Sequence, residues 1–209
     1  MSPTLLFVHG WALDRTLWDK VLDVLGDEAS SALIRDAGYY GKSNDPAAEG
    51  AILGVGQSLG ALELLAEPPP GMIGVVALDG FARFGRAEDF PLGVPGRVLE
   101  RMKARIDQGG LAEFVERAGG QLPEGEPDRA RLAAGLDRLH TLDGRACRLP
   151  IWRLHAEHDP IAPLAMADAS FAGLNVRERR IRPSTDHLSP LTAPHACAEL
   201  IRTALEACA

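Results

Sequence analysis

The sequence predicts a single α/β domain organised around a mostly parallel β-sheet. Two observations carry that expectation. Short apolar runs alternate with segments of helical spacing along the chain. The 209 residues, 46% hydrophobic and 24% charged, suffice for one domain with a substantial buried core. The same balance excludes a disordered or collagen-like chain. No apolar run approaches the ~20 residues that cross a bilayer. A net charge of -7 argues against a nucleic-acid binder, which would carry a basic footprint. Cys147, Cys197 and Cys208 make an odd number with no CxxC pair, so neither a disulfide nor a zinc framework is expected. The opening residues read as a strand rather than a targeting segment, which makes the cytoplasm the expected compartment.

In chain order, residues 4–8 form an apolar run that ends in His9-Gly10. Residues 17–25 have helical spacing, with Leu17, Val21, Val24 and Leu25 on one stripe. Residues 31–36 read as a strand that stops at Gly38-Tyr39-Tyr40-Gly41. Residues 51–56 read as a buried strand, and a helix starting at Leu59 ends before the three prolines at 68–70. The strand at 73–78 is closed by Asp79-Gly80, and 151–155 and 176–181 are two further strands. Residues 193–207 read as an amphipathic helix that Pro194 can begin. Between Phe81 and Cys147 no strand is evident, whereas 95–106, 111–118 and 128–140 read as helices. The expected division is a core of 1–80 and 147–209, with 81–146 inserted as a helical cap over one end of the sheet.

The strongest chemical motif is Gly56-Gln57-Ser58-Leu59-Gly60, placed between a strand and a helix. A G-x-S-x-G nucleophile elbow requires that context, because the turn is sharp and only small residues fit beside the serine. A dinucleotide fingerprint fits less well: after Gly54-x-Gly56 the third glycine position holds Leu59. A serine hydroxyl needs a base, and the order Ser…Asp/Glu…His is completed by Asp159 and then His187, each following a strand. Both fall where ligands bind in open α/β sheets. Asp79 also ends a strand and is the rival acid, while Asp186, adjacent to the histidine, is expected to point elsewhere. His9 is expected to shape the loop after the first strand, and His155 and His158 to support the turn around Asp159. His140 and His195 fall on helices, where a solvated or packed role is expected. A metal site from His155, His158 and Asp159 lacks a distant ligand, and no cofactor or metal is called for.

These motifs, in this order, resemble the α/β-hydrolase family. The matching pieces are His9-Gly10-Trp11, the stretch from Asp36 to Ser43, the elbow at Ser58, Asp159-Pro160-Ile161-Ala162-Pro163 and His187. Within it the chain looks most like the biotin-pathway esterases that cleave the methyl ester of pimeloyl-acyl-carrier protein. The resemblance implies a serine carboxylesterase in which Ser58 attacks, His187 is the base, Asp159 orients it, and the backbone N–H groups of Trp11 and Leu59 form the oxyanion hole. Generalist esterases, thioesterases and lactonases share these pieces. A non-catalytic binding protein is opposed by the intact Ser58, Asp159 and His187.

The chain departs from the family in two ways. It starts at the strand carrying the oxyanion loop, so the usual two leading strands are missing and a small sheet of about six strands is expected. Only seven residues, 44–50, precede the elbow strand where the family has a helix. One face near Tyr39 and Tyr40 is therefore expected to be poorly covered, and could serve as a homodimer surface. In the cap, Arg97, Arg101 and Arg105 recur every fourth residue, a basic stripe that could dock an acidic acyl-carrier protein. A solvated helix face partly neutralised by Glu100 and Asp107 is the alternative.

Overall fold

In the computed structural model, which describes residues 3–208, the strands are β1 (Thr4–Val8), β2 (Leu33–Arg35), β3 (Ile52–Gln57), β4 (Met72–Leu78), β5 (Ile151–Ala156) and β6 (Val176–Arg182). They form one six-stranded sheet in the order β2-β1-β3-β4-β5-β6, and every pairing is parallel. The helices are α1 (Asp19–Leu25), α2 (Leu59–Ala66), α3 (Gly96–Ala104), α4 (Leu111–Ala118), α5 (Arg129–Thr141), α6 (Leu164–Ser170), α7 (Ser189–Thr192) and α8 (Pro194–Ala207). No helix of the described residues is long and apolar enough to cross a membrane.

Every residue of β3 and of β5 is buried, as expected of parallel strands covered on both faces. On one face Phe7, Val55 and Leu154 pack with Val21 of α1 and Leu200 and Ile201 of α8. On the other, Leu6, Val8 and Ile151 pack with Leu64 and Leu65 of α2 and with Phe171 beyond α6. Trp18, in the single 3₁₀ turn that leads into α1, is fully buried with its ring 5.0 Å from that of Phe7.

Between β4 and β5, helices α3 to α5 build a third apolar cluster with Trp11, Tyr39 and Leu59, over the end of the sheet where β1 and β3 finish. Asp128 caps α5 by accepting the Arg131 N–H at 3.0 Å. Arg138 of α5 ties this layer to α2 through Glu63 and Glu67, each at 2.6 Å.

Three sequence expectations change. The strand expected at 31–36 is only Leu33–Arg35. Helix α6 was not expected, because its Leu-Ala-Met-Ala-Asp-Ala-Ser sequence carries too few large apolar residues to mark a stripe. The face near Tyr39 and Tyr40 is not bare. Tyr39 is buried and Tyr40 half-buried beneath α5, where Asp128 N–H donates to the Tyr39 carbonyl at 2.7 Å and Arg131 to that of Gly38 at 3.1 Å. Where a crossover helix was missed, an extended return segment takes its place. It pairs once with the end of β2 through Asp36 and Asn44, and it lays Ala48 on the cluster around Leu6 and Ile52. The observation on which a dimer surface was expected there is thus removed.

Candidate active site

The turn after β3 holds Ser58 at φ 52°, ψ -118°, a conformation that non-glycine residues rarely adopt. Its flanking glycines are demanded by close approach: a Cβ on Gly56 would lie 2.4 Å from Ala61 N, and one on Gly60 2.1 Å from the Val8 carbonyl oxygen. The helix α2 then starts at Leu59, directly beneath the serine.

His187, between β6 and α7, is buried and stands with Nε2 2.8 Å from Ser58 Oγ. Its Nδ1 lies 2.6 Å from Asp159 Oδ2. The other Asp159 oxygen accepts the N–H groups of Ile161 and Ala162, both at 2.8 Å, which fixes the carboxylate from below. The three residues expected from chain order are therefore brought into one hydrogen-bonded relay. Burial alone would push the His187 imidazole toward a lower pKa. The bonded Asp159 carboxylate outweighs burial and holds the ring above the ordinary histidine value.

Asp79 is the carboxylate not in the relay. It is fully buried at the end of β4 with φ 46°. Its oxygens accept Ser189 N–H at 2.7 Å, Ser189 Oγ–H at 2.8 Å and Ala156 N–H at 3.3 Å. Burial raises its pKa, with His187 and His155 opposing. Asp186 is engaged outside the relay, accepting from Ser184 Oγ at 2.5 Å and pairing with Arg182.

The remaining histidines separate as follows. His155 is buried, and its Nε2 meets the Ala162 carbonyl at 2.8 Å, bracing the Asp159 turn, while burial lowers its pKa. His158, His140 and His195 are exposed. Among the described residues the grouping of possible metal ligands is Asp79, His155 and Asp159, with ligand atoms within 4.8 Å, rather than the trio containing His158. Each of the three already holds the protein hydrogen bonds just described.

His9 is buried, and its Nδ1 donates to the Gly10 carbonyl at 2.8 Å while Nε2 accepts the Ala37 N–H at 3.1 Å. The Gly10–Trp11 peptide is thereby held with its carbonyl turned to His9. Neither the Trp11 nor the Leu59 N–H bonds another group among the described residues, and Trp11 lines the same cavity as Ser58. Sequence reasoning missed Gln57, whose Nε2 donates to the His187 carbonyl at 2.7 Å. It stood inside the elbow motif, but a motif gives no side-chain direction.

A cavity of about 590 Å³ opens above Ser58. Phe81, Phe84, Met102, Phe114, Leu92 and Val98 line it, whereas Phe90 and Leu136, buried in the same apolar cluster as Phe81 and Phe84, do not. The expected basic stripe divides. Arg101 and Arg105 line the cavity, with Arg86 and Arg117, and Arg97 is exposed outside it. The acids expected to neutralise the stripe are engaged elsewhere, Glu100 with Lys103 at 2.9 Å and Asp107 with Arg129 at 2.5 Å. Among the described residues Glu113 is the only acid lining the cavity with these arginines, paired with Arg105 at 2.8 Å.

No protein-family profile matches the chain. It is 31% identical to the biotin biosynthesis bifunctional protein BioHC of Cellvibrio japonicus, over 83% of this chain and 41% of that protein. The chain thus spans about two-fifths of the length of that relative. Among solved structures it resembles the esterase EaEST of Exiguobacterium antarcticum (TM-score 0.75, 15% identity, 99% and 93% of the two chains). It also resembles the enol-lactonase of Burkholderia xenovorans LB400 (TM-score 0.74, 13% identity, 97% and 91%). A thermophilic esterase of Thermogutta terrifontis is similar at a TM-score of 0.72 with 20% identity over 98% and 91%.

Proposed function

We propose that this chain, which has the α/β-hydrolase fold, is a serine carboxylesterase that works through an acyl-enzyme on Ser58. The observation that carries the reading is the unbroken relay from Asp159 through His187 to Ser58, at 2.6 and 2.8 Å. In it His187 takes the Ser58 proton as Oγ attacks the ester carbonyl, and Asp159 stabilises the imidazolium that forms. The N–H groups of Trp11 and Leu59 receive the developing oxyanion, a contribution that typically costs about 10²–10³ in kcat when one donor is lost. His187 next protonates the leaving alcohol. It then removes a proton from water, which attacks the acyl-enzyme and frees the acid.

The substrate we propose is the methyl ester of pimeloyl-acyl-carrier protein. Three things support it: the likeness to a bifunctional biotin-biosynthesis protein, the largely apolar cavity above Ser58, and the arginines at that cavity. Arg101 and Arg105, extended outward by Arg97, suit an acidic carrier. Mass spectrometry of methyl pimeloyl-acyl-carrier protein incubated with the protein is expected to show loss of the methyl group. Replacing Arg97, Arg101 and Arg105 together with alanine should raise KM for that substrate several-fold and leave a short soluble ester unaffected. Equal effects on both substrates would remove the docking role. A second reading, a generalist esterase, thioesterase or lactonase, draws on the fold shared with esterases and an enol-lactonase. It would replace the first if short esters turn over and the carrier ester does not.

A further inference from the structure

We infer that the C-terminal turn of α4 is a positioning device for the base, so that the cap, when seated on the acyl group, sets the geometry of His187. The inference rests on the serine-hydrolase reading and adds to it the elements that hold the relay in place.

The main chain of His187 is gripped on both sides. Its carbonyl accepts from Gln57, the neighbour of the nucleophile, at 2.7 Å. Its N–H donates to the carbonyl of Ala118, the last residue of α4, at 2.8 Å. The last carbonyls of a helix have no intrahelical partner; here Gly119 and Gly120 N–H groups turn back to Glu116 and Val115, at 2.9 and 3.0 Å, and leave Ala118 free for the histidine. The same turn reaches the acid. Arg117 Nη2 donates to the carbonyl of Pro160, next to Asp159, at 3.0 Å. One helix end therefore touches both loops that carry the relay.

The approach is close enough to be sensitive. Gly119 sits at φ +96°, and a Cβ there would fall 2.8 Å from Asp186 Cβ, the residue before His187. One turn earlier on α4, Phe114 lines the cavity above Ser58 and meets the Trp11 ring edge-on at 4.9 Å. An acyl chain packed on Phe114 thus contacts the helix that holds the base. Binding energy from that remote part of the substrate is spent on aligning His187, which raises kcat rather than only lowering KM.

The test compares wild type with Arg117→Met, Arg117→Lys and Gly119→Ala. The readouts are kcat and KM for p-nitrophenyl acetate and octanoate, the rate of fluorophosphonate labelling of Ser58, and thermal unfolding. In wild type, kcat is expected to be higher for octanoate than for acetate. Arg117→Met should lower kcat for acetate and the labelling rate about tenfold, because small misplacements of a catalytic group cost up to about 10² in rate. KM for acetate should stay within about twofold, and Arg117→Lys should restore most of the loss. Gly119→Ala should act in the same direction; should it fail to fold, the exposed Arg117 decides alone. Labelling of folded Arg117→Met at the wild-type rate, with unchanged kcat, would overturn the inference. A wild type that is not labelled at all would instead overturn the serine-hydrolase reading beneath it.

Discussion

Ser58→Ala is expected to abolish ester hydrolysis, lowering kcat by about 10⁶ under saturating substrate. The loss follows from geometry: the Oγ at 2.8 Å from His187 is the atom that forms the acyl-enzyme, and no other hydroxyl among the described residues bonds that ring. Fluorophosphonate labelling should vanish with it. The melting temperature should hold or rise, because the strained backbone at φ 52° is unchanged and only a buried hydroxyl is removed. Stopped hydrolysis with an unchanged melting curve is the outcome that assigns the nucleophile. Residual turnover within tenfold of wild type would place the chemistry on another residue.

The second large effect distinguishes the two buried carboxylates. Asp159→Asn should lower kcat by about 10⁴, since the amide cannot stabilise the imidazolium or fix the productive tautomer. Asp79→Asn should cost far less, because its oxygens serve Ser189 and Ala156 and not the imidazole. The pH profile carries the same distinction with a definite sign. Only neutral His187 can accept the Ser58 proton, so kcat/KM rises with pH through the pKa of that ring. With Asp159 in place the rise should be centred above the ordinary histidine value of about 6.5. In Asp159→Asn the burial that opposes charge is left with less opposition, and the rise should move to lower pH. An unmoved profile in Asp159→Asn, or a shift of the same size in Asp79→Asn, would reassign the acid.

What the sequence disclosed depended on whether a feature has a residue-level signature. The elbow was legible because two close backbone approaches, at Gly56 and Gly60, force glycine on either side of a serine between a strand and a helix. His187 and Asp159 followed from needing a base and an acid at later strand ends. Chain order favoured Asp159 and kept Asp79 as the rival, since both end strands and both lie between Ser58 and His187. The choice turns on where four carboxylate oxygens point, and main-chain donors decide that. The Ala118 carbonyl was invisible for the same reason, because any residue could supply it. Arg117 belongs to no motif, and only the position of its guanidinium on the Pro160 carbonyl gives it a role. The basic stripe was drawn from a four-residue period, but α3 ends at Ala104 and Arg105 leaves the helical path at φ -105°, ψ 2°. The cavity therefore takes part of the stripe, and adds Arg86 and Arg117 from segments the period does not connect.

The extended return between β2 and β3 has a consequence for how the molecule opens. Three-residue β2 is an edge strand, joined to β1 alone and backed by chain that makes few main-chain bonds of its own. The elbow, Asp79 and the start of the Asp159 loop grow from β3, β4 and β5, which lie on the far side of β1. Amide deuteration should therefore proceed fast over residues 44–50 and slowly over β3 and β4, with the border falling at β1. Local breathing at that margin can be frequent without disturbing the relay, which makes residues 44–50 the place where the chain would tolerate insertion or a proteolytic nick and keep its chemistry.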